Sequence, residues 1–194
     1  KVDAVTIAVP TVLHLPIALD VCRQNVHMLI EKPLASNVEE ANQIVSIAKK
    51  HNIVLSVGHI ERHNPVIKEA KKRLDEDSWG SILTLSAKRF SSYPARISDV
   101  GVIHDLTIHD VDIISYLAEA TPKTVFAIGD KSKSKDFLDY VNLVMKFDGK
   151  LGLCETNWLT PMKVRELSLT TSKYYVSINY LEQKITVLSS NYGD

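Results

Sequence analysis

The sequence predicts a parallel α/β unit over residues 1–62, followed over 63–194 by an α+β unit with a mostly antiparallel sheet backed by helices. Three observations predict it. Apolar β-branched runs alternate with helical periodicity over the first 60 residues. A helical segment precedes a long strand just after Gly58, and from Pro122 onward short strands follow one another through tight turns. Strand–helix–strand alternation gives a parallel sheet with right-handed crossovers, whereas consecutive strands joined by short turns pair antiparallel.

Residues 4–9, Ala-Val-Thr-Ile-Ala-Val, form an unbroken run of the kind found in parallel strands covered by helices on both faces. Residues 13–25 follow as a helix with Leu15, Ala18, Leu19 and Cys22 on one side. A short strand, 27–30, ends at Glu31-Lys32-Pro33. Ser36 or Asn37 caps the next helix, which has Glu39 and Glu40 in its first turn, where the helix dipole favours acids. A third strand, 53–57, ends at Gly58. A strand beginning at residue 4 needs neighbours, so further chain is expected upstream. After the boundary come a polar helix at 65–75, a strand at 81–90, a loop at 91–101 and a helix at 104–119. Leu106, His109, Ile113 and Leu117 lie near one stripe of that last helix. Strands are expected at about 123–129, 138–147, 150–159, 164–171, 174–180 and 184–189, with turns at Asp148-Gly149 and Thr171–Lys173.

Composition narrows the function classes. Lys+Arg and Asp+Glu number 23 each, so no global field draws the chain to nucleic acid or a membrane surface. No apolar run approaches the roughly 20 residues of a membrane span. Cys22 and Cys154 stand far apart in apolar stretches and read as buried thiols in a reducing, cytoplasmic setting.

Chemistry is expected at the carboxyl ends of the parallel strands, where ligands bind in open α/β sheets. Those ends carry Pro10-Thr11, Glu31-Lys32-Pro33 and Gly58-His59. Lys32 could donate a proton or clamp a negative charge there, or be an exposed turn lysine. Asp105 and His109 are four residues apart on one helix, spacing that lets a carboxylate orient an imidazole acting as general base. The same pair could simply stabilise the helix, or hold a metal with Asp112 as third ligand; no metal is the expectation. His104 and Asp110 point elsewhere and read as structural or solvated. Arg62 could grip an anionic or hydroxyl-rich ligand, or form a plain domain-linking salt bridge. The segment Asn157 to Arg165 joins cations to an aromatic ring, a mixture suited to sugars and phosphates. Lys88, Arg89 and Arg96 add positive charge before the Asp105 helix.

These segments resemble a known family. Ala8-Val9-Pro10-Thr11-Val12-Leu13-His14 is similar to its A-[TV]-P-x-x-x-H segment, Glu31-Lys32-Pro33 to its EKP motif, and Asp105-x-x-x-His109-Asp110 to its D-x-x-x-H helix. In order, they resemble the Gfo/Idh/MocA family of NAD(P)-dependent oxidoreductases. Gly58–Pro65, Asp99–Ile103 and Asn157–Pro161 resemble its nucleotide-sugar branch, which includes UDP-N-acetylglucosamine 3-dehydrogenases.

The resemblance implies that 1–62 is the C-terminal portion of a Rossmann domain binding NAD or NADP, and 63–194 a domain for substrate and oligomer contacts. It implies Lys32, Asp105 and His109 as catalytic residues, with Pro10, Thr11, His14, Glu31 and Lys32 lining the nicotinamide half of the cofactor site. Arg62, Arg96 and Lys163 become candidate contacts to a sugar or nucleotide sugar, and the antiparallel sheet a homo-oligomer face. The family's G-x-G-x-x-G turn, which holds the pyrophosphate, does not occur in this sequence. Without it the chain alone is expected to bind the cofactor poorly. That gap leaves open a non-catalytic sugar-binding or regulatory protein on the same fold.

Overall fold

The computed structural model describes residues 2–94 and 100–189. The chain divides into two compact units, Lys1–Ile60 and Glu61–Asp194.

In the first unit, strands β1 (Ala4–Ile7), β2 (His27–Ile30) and β3 (Leu55–Val57) form a parallel sheet in that order. Helices α1 (His14–Arg23) and α2 (Val38–Lys50) are the crossovers. Two successive right-handed crossovers moving in one direction lay both helices on the same face. The core accordingly sits there, with Ile7, Met28 and Ile30 of the strands packed with Ala18, Cys22, Ile44 and Ala48 of the helices. Thr6 is exposed, as are Leu29 and Val54, so burial alternates along strands whose sequence reads as continuously apolar. Asn37 caps α2, its side chain accepting the Glu40 amide at 2.8 Å, while Glu40 reaches back to the Ser36 amide at 3.1 Å.

A 3-10 turn, Ile60–His63, straddles the boundary, and α3 (Pro65–Asp75) follows in the second unit. Its seven-stranded sheet contains β4 (Ile82–Phe90), β5 (Thr124–Asp130), β6 (Tyr140–Lys146), β7 (Leu151–Asn157), β8 (Val164–Thr171), β9 (Tyr174–Asn179) and β10 (Lys184–Ser189), ordered β10-β9-β8-β4-β7-β6-β5. All neighbours are antiparallel except β4 and β7, which run parallel because β4 inserts between two strands that follow each other in sequence. Gly149, at a φ of 69°, makes the predicted hairpin turn between β6 and β7. A π-helical turn, Ile103–Thr107, runs into α4 (Ile108–Ala118).

Helices α3 and α4 cover one face of the large sheet. Val66, Ile67 and Ala70 of α3 and Ile113, Ile114 and Leu117 of α4 pack with Leu85, Met145, Leu167 and Ile178. Each Val, Ile, Leu or Met side chain so buried contributes roughly 1.5–3 kcal/mol. The opposite face carries a row, Phe126–Val144–Leu153, fixed by the strand register and exposed to solvent. Both cysteines are free thiols, buried as expected. Among the described residues no helix is long and apolar enough to cross a membrane.

Candidate active site

The strand ends of the first unit meet as the sequence predicts. Ile7, Ile30 and Val57 are register partners, so the segments that follow them leave the sheet along one edge. The ladder continues one step beyond: the Glu31 amide donates to Ile7 O at 3.0 Å and the Gly58 amide to Ile30 O at 2.7 Å. Pro10 is exposed and its carbonyl accepts the Leu13 amide, closing a 3-10 turn at Thr11–Leu13. The Glu31 carboxylate accepts the Lys32 amide at 3.3 Å and lies over Gly58, where an added Cβ would come within 3.1 Å of it. Lys32 is half-buried and precedes a cis peptide to Pro33.

His14 is only 1% exposed. One ring nitrogen lies 3.0 Å from Val9 O, and the other lies 3.0 Å from Pro33 O and 3.3 Å from Leu34 O. The ring therefore braces the loop after β1 against the loop after β2.

In the second unit Asp105 lies in the π-helical turn and His109 in the first turn of α4, both half-buried, with His104 exposed. The turn rests on a small cluster in which Val102 and Leu106 pack with Val141 and Trp158. Tyr93 meets the Trp158 ring edge-on, with centroids 5.8 Å apart. π-helical turns are rare and recur at functional sites, because one extra residue per turn redirects the side chains around it.

The buried stripe of α4 is not centred on His109. Asp110, 1% exposed, occupies the inward position together with Leu106, Ile113 and Leu117. It meets Arg89, whose Nε lies 2.9 and 3.0 Å from the two carboxylate oxygens, while Nη1 donates to Glu61 at 2.9 Å. Burial opposes the charge on Arg89, but Asp110 and Glu61 outweigh it and push its pKa up. For Asp110 burial pushes the other way, upward against the pull of Arg89; the close two-oxygen contact is that of an ion pair. Sequence reasoning left Asp110 structural or solvated and counted Arg89 only as positive charge. Alternation along β4 carried the missed signal, since Leu85, Ala87 and Arg89 all point inward while Lys88 is exposed.

Arg62 forms a salt bridge, but within the second unit rather than between domains, with Nε at 2.8 Å and Nη2 at 2.5 Å from the Asp112 carboxylate. Asp112 is thus engaged by a cation. Among the described residues no group of three or more His, Cys, Asp or Glu side chains is placed to hold a metal ion. Lys163 is exposed in the loop between β7 and β8. Arg96 lies outside the described residues.

Two family models cover most of the chain: an oxidoreductase-family NAD-binding Rossmann fold over residues 1–59, and a GFO/IDH/MocA C-terminal domain over 67–176. The chain belongs to the Gfo/Idh/MocA family. It is 30% identical, over all 194 residues, to UDP-N-acetylglucosamine 3-dehydrogenase of Acidithiobacillus ferrooxidans, and spans 60% of that protein. A solved structure of that enzyme matches 97% of this chain and 62% of its own at a TM-score of 0.89. The WlbA dehydrogenase of Bordetella pertussis, in complex with NADH and UDP-GlcNAcA, shares the fold at 20% identity and a TM-score of 0.89, over all of this chain and 60% of its own.

Proposed function

We propose that the protein containing this chain is a nicotinamide-dependent dehydrogenase that oxidises a ring hydroxyl of a sugar, with a nucleotide sugar such as UDP-N-acetylglucosamine, at C3, as the favoured substrate. The observation that carries this is the Asp105–His109 helix with its π-helical entry, in a Gfo/Idh/MocA chain similar over its whole length to an enzyme of that name.

The residues present fit part of a dinucleotide site. The aligned strand ends offer main chain and the Glu31–Lys32 pair, while the sequence has no glycine-rich turn for the pyrophosphate. Pro10, Thr11, Glu31 and Lys32 would line the nicotinamide half of an NAD or NADP site. His14 would serve that half indirectly, through the two loops it braces. When bound, the nicotinamide supplies the two-electron acceptor for the hydrogen on the reacting carbon.

The chain's own residues handle the proton. His109 would take the hydroxyl proton on a ring nitrogen while the carbon-bound hydrogen leaves as hydride, so that the alcohol becomes a carbonyl. Asp105 would steady the charge His109 gains, and the Lys32 ammonium, in the nicotinamide half, would stabilise negative charge that builds during the reaction. Lys163 and Arg96 are the remaining candidates for nucleotide-sugar contacts, with Arg62 reaching substrate only if it leaves Asp112. The exposed Phe126–Val144–Leu153 row supports the outer sheet face as a homo-oligomer contact.

The test is spectrophotometric. Full-length protein given NAD or NADP should form reduced nicotinamide with UDP-N-acetylglucosamine faster than with inositol or free sugars. A folded full-length protein that binds sugar but no nicotinamide would instead be a binding or regulatory relative.

A further inference from the structure

We propose that Arg89 is a positioning residue for the acid–base helix: held between Asp110 and Glu61, its guanidinium fixes the rotation of α4 and so the aim of His109. This rests on the reading of His109 as general base.

The argument starts from what apolar packing cannot do. Ile113, Ile114 and Leu117 hold α4 on the sheet, but hydrophobic contact is non-directional and tolerates rotation or sliding of a helix. The entry to α4 adds slack, because Ile103–Thr107 is a π-helical turn rather than α-helix. Asp110 is the residue next to His109, about 100° around the helix. It is seated on a central strand by the 2.9 and 3.0 Å contacts to Arg89, the directional constraint that packing lacks.

The cost of the arrangement points the same way. Arg89 is 3% exposed, and its register partner on β8 is a second cation, Arg165. Like charges directly opposite on neighbouring strands repel. Arg165 donates to the carbonyls of Phe90 and Val164, so the acids that offset Arg89 are Asp110 and Glu61. An apolar pair of similar volume is often as stable as a buried ion pair or more so. A cluster of two cations and two acids, with Arg89 and Asp110 buried and Glu61 and Arg165 half-buried, beside the helix of Asp105 and His109 therefore fits a role in geometry better than one in stability.

The experiment uses full-length protein with histidine labelled by carbon-13 and nitrogen-15. The triple variant R89M/D110L/E61Q removes the charges and keeps the bulk, R89K is the mild change, and H109N identifies the His109 ring signals by their loss. The expected result is a cooperatively folded triple variant with shifted His109 signals, a kcat lower by about 100-fold, and nicotinamide affinity within about twofold. R89K should recover part of both the shift and the rate. If the triple variant does not fold, R89K alone decides, through the same signals. The proposal is overturned if His109 signals stay in place in the folded variants, whatever happens to their melting temperature. Full turnover by H109N would instead remove the general-base reading, while a signal shift in the Arg89 variants would still support the positioning.

Discussion

Single residues in this fold are held by directional contacts that composition does not reveal. Asp139 is fully buried, and its carboxylate accepts the amides of Ser132, Lys133 and Ser134, at 2.6 Å for Ser132 and 2.9 Å for Ser134. Burial works against its charge, but the amides outweigh burial and hold its pKa below the usual carboxylate range. A carboxylate with a depressed folded pKa stabilises the protein above its unfolded value of about 3.9 and loses that contribution as pH falls through the folded value. Asp139→Asn should therefore cost about 1–3 kcal/mol at neutral pH, with the difference from wild type shrinking below about pH 4. Urea unfolding at pH 7 and pH 3 measures it; an equal loss at both would remove the charge from the explanation. Gly58 poses a steric question. A methyl group there would stand 3.1 Å from the Glu31 carboxylate, the movable end of its side chain. Gly58→Ala should shift Glu31 with a stability loss below about 1 kcal/mol, and weaken nicotinamide binding by full-length protein in a calorimetric titration.

At the scale of elements, sequence and structure agree wherever local periodicity carries the information. The helix predicted at 65–75 is α3 itself, and the strand ends at Lys32 and Gly58 fall on one sheet edge because parallel register puts them there. Two features escaped. The parallel β4–β7 pairing depends on residues more than 60 apart, which no window along the chain can read. The π-helical turn leaves no mark in a sequence whose apolar spacing suits an α-helix equally well. That Asp105 and His109 share one helical segment was readable from spacing; the Arg89–Asp110 pair required combining strand alternation with helix phase. The seating of α4 also depends on a small residue. At Gly152 an added Cβ would meet Ile114 at 2.8 Å and Met145 at 3.1 Å. Gly152→Ala should overpack this contact and lower stability by about 1–3 kcal/mol, read from the midpoint of chemical denaturation. A neutral result would mean that α4 is free to lift.

On the scale of the whole molecule, the proposed reading divides the chemistry between the two units: the strand ends of the first, aligned by parallel register, would serve a nicotinamide, and the Asp105–His109 helix of the second would serve the proton. The measurement that tests this division most directly compares full-length wild type with His109→Asn, following both nicotinamide binding and reduced nicotinamide formed with UDP-N-acetylglucosamine. The account predicts unchanged nicotinamide affinity and a kcat lower by about 100-fold or more in the variant, the usual loss on removing a general base. Turnover by the variant equal to that of wild type would contradict it, as would a folded wild-type protein that binds no nicotinamide.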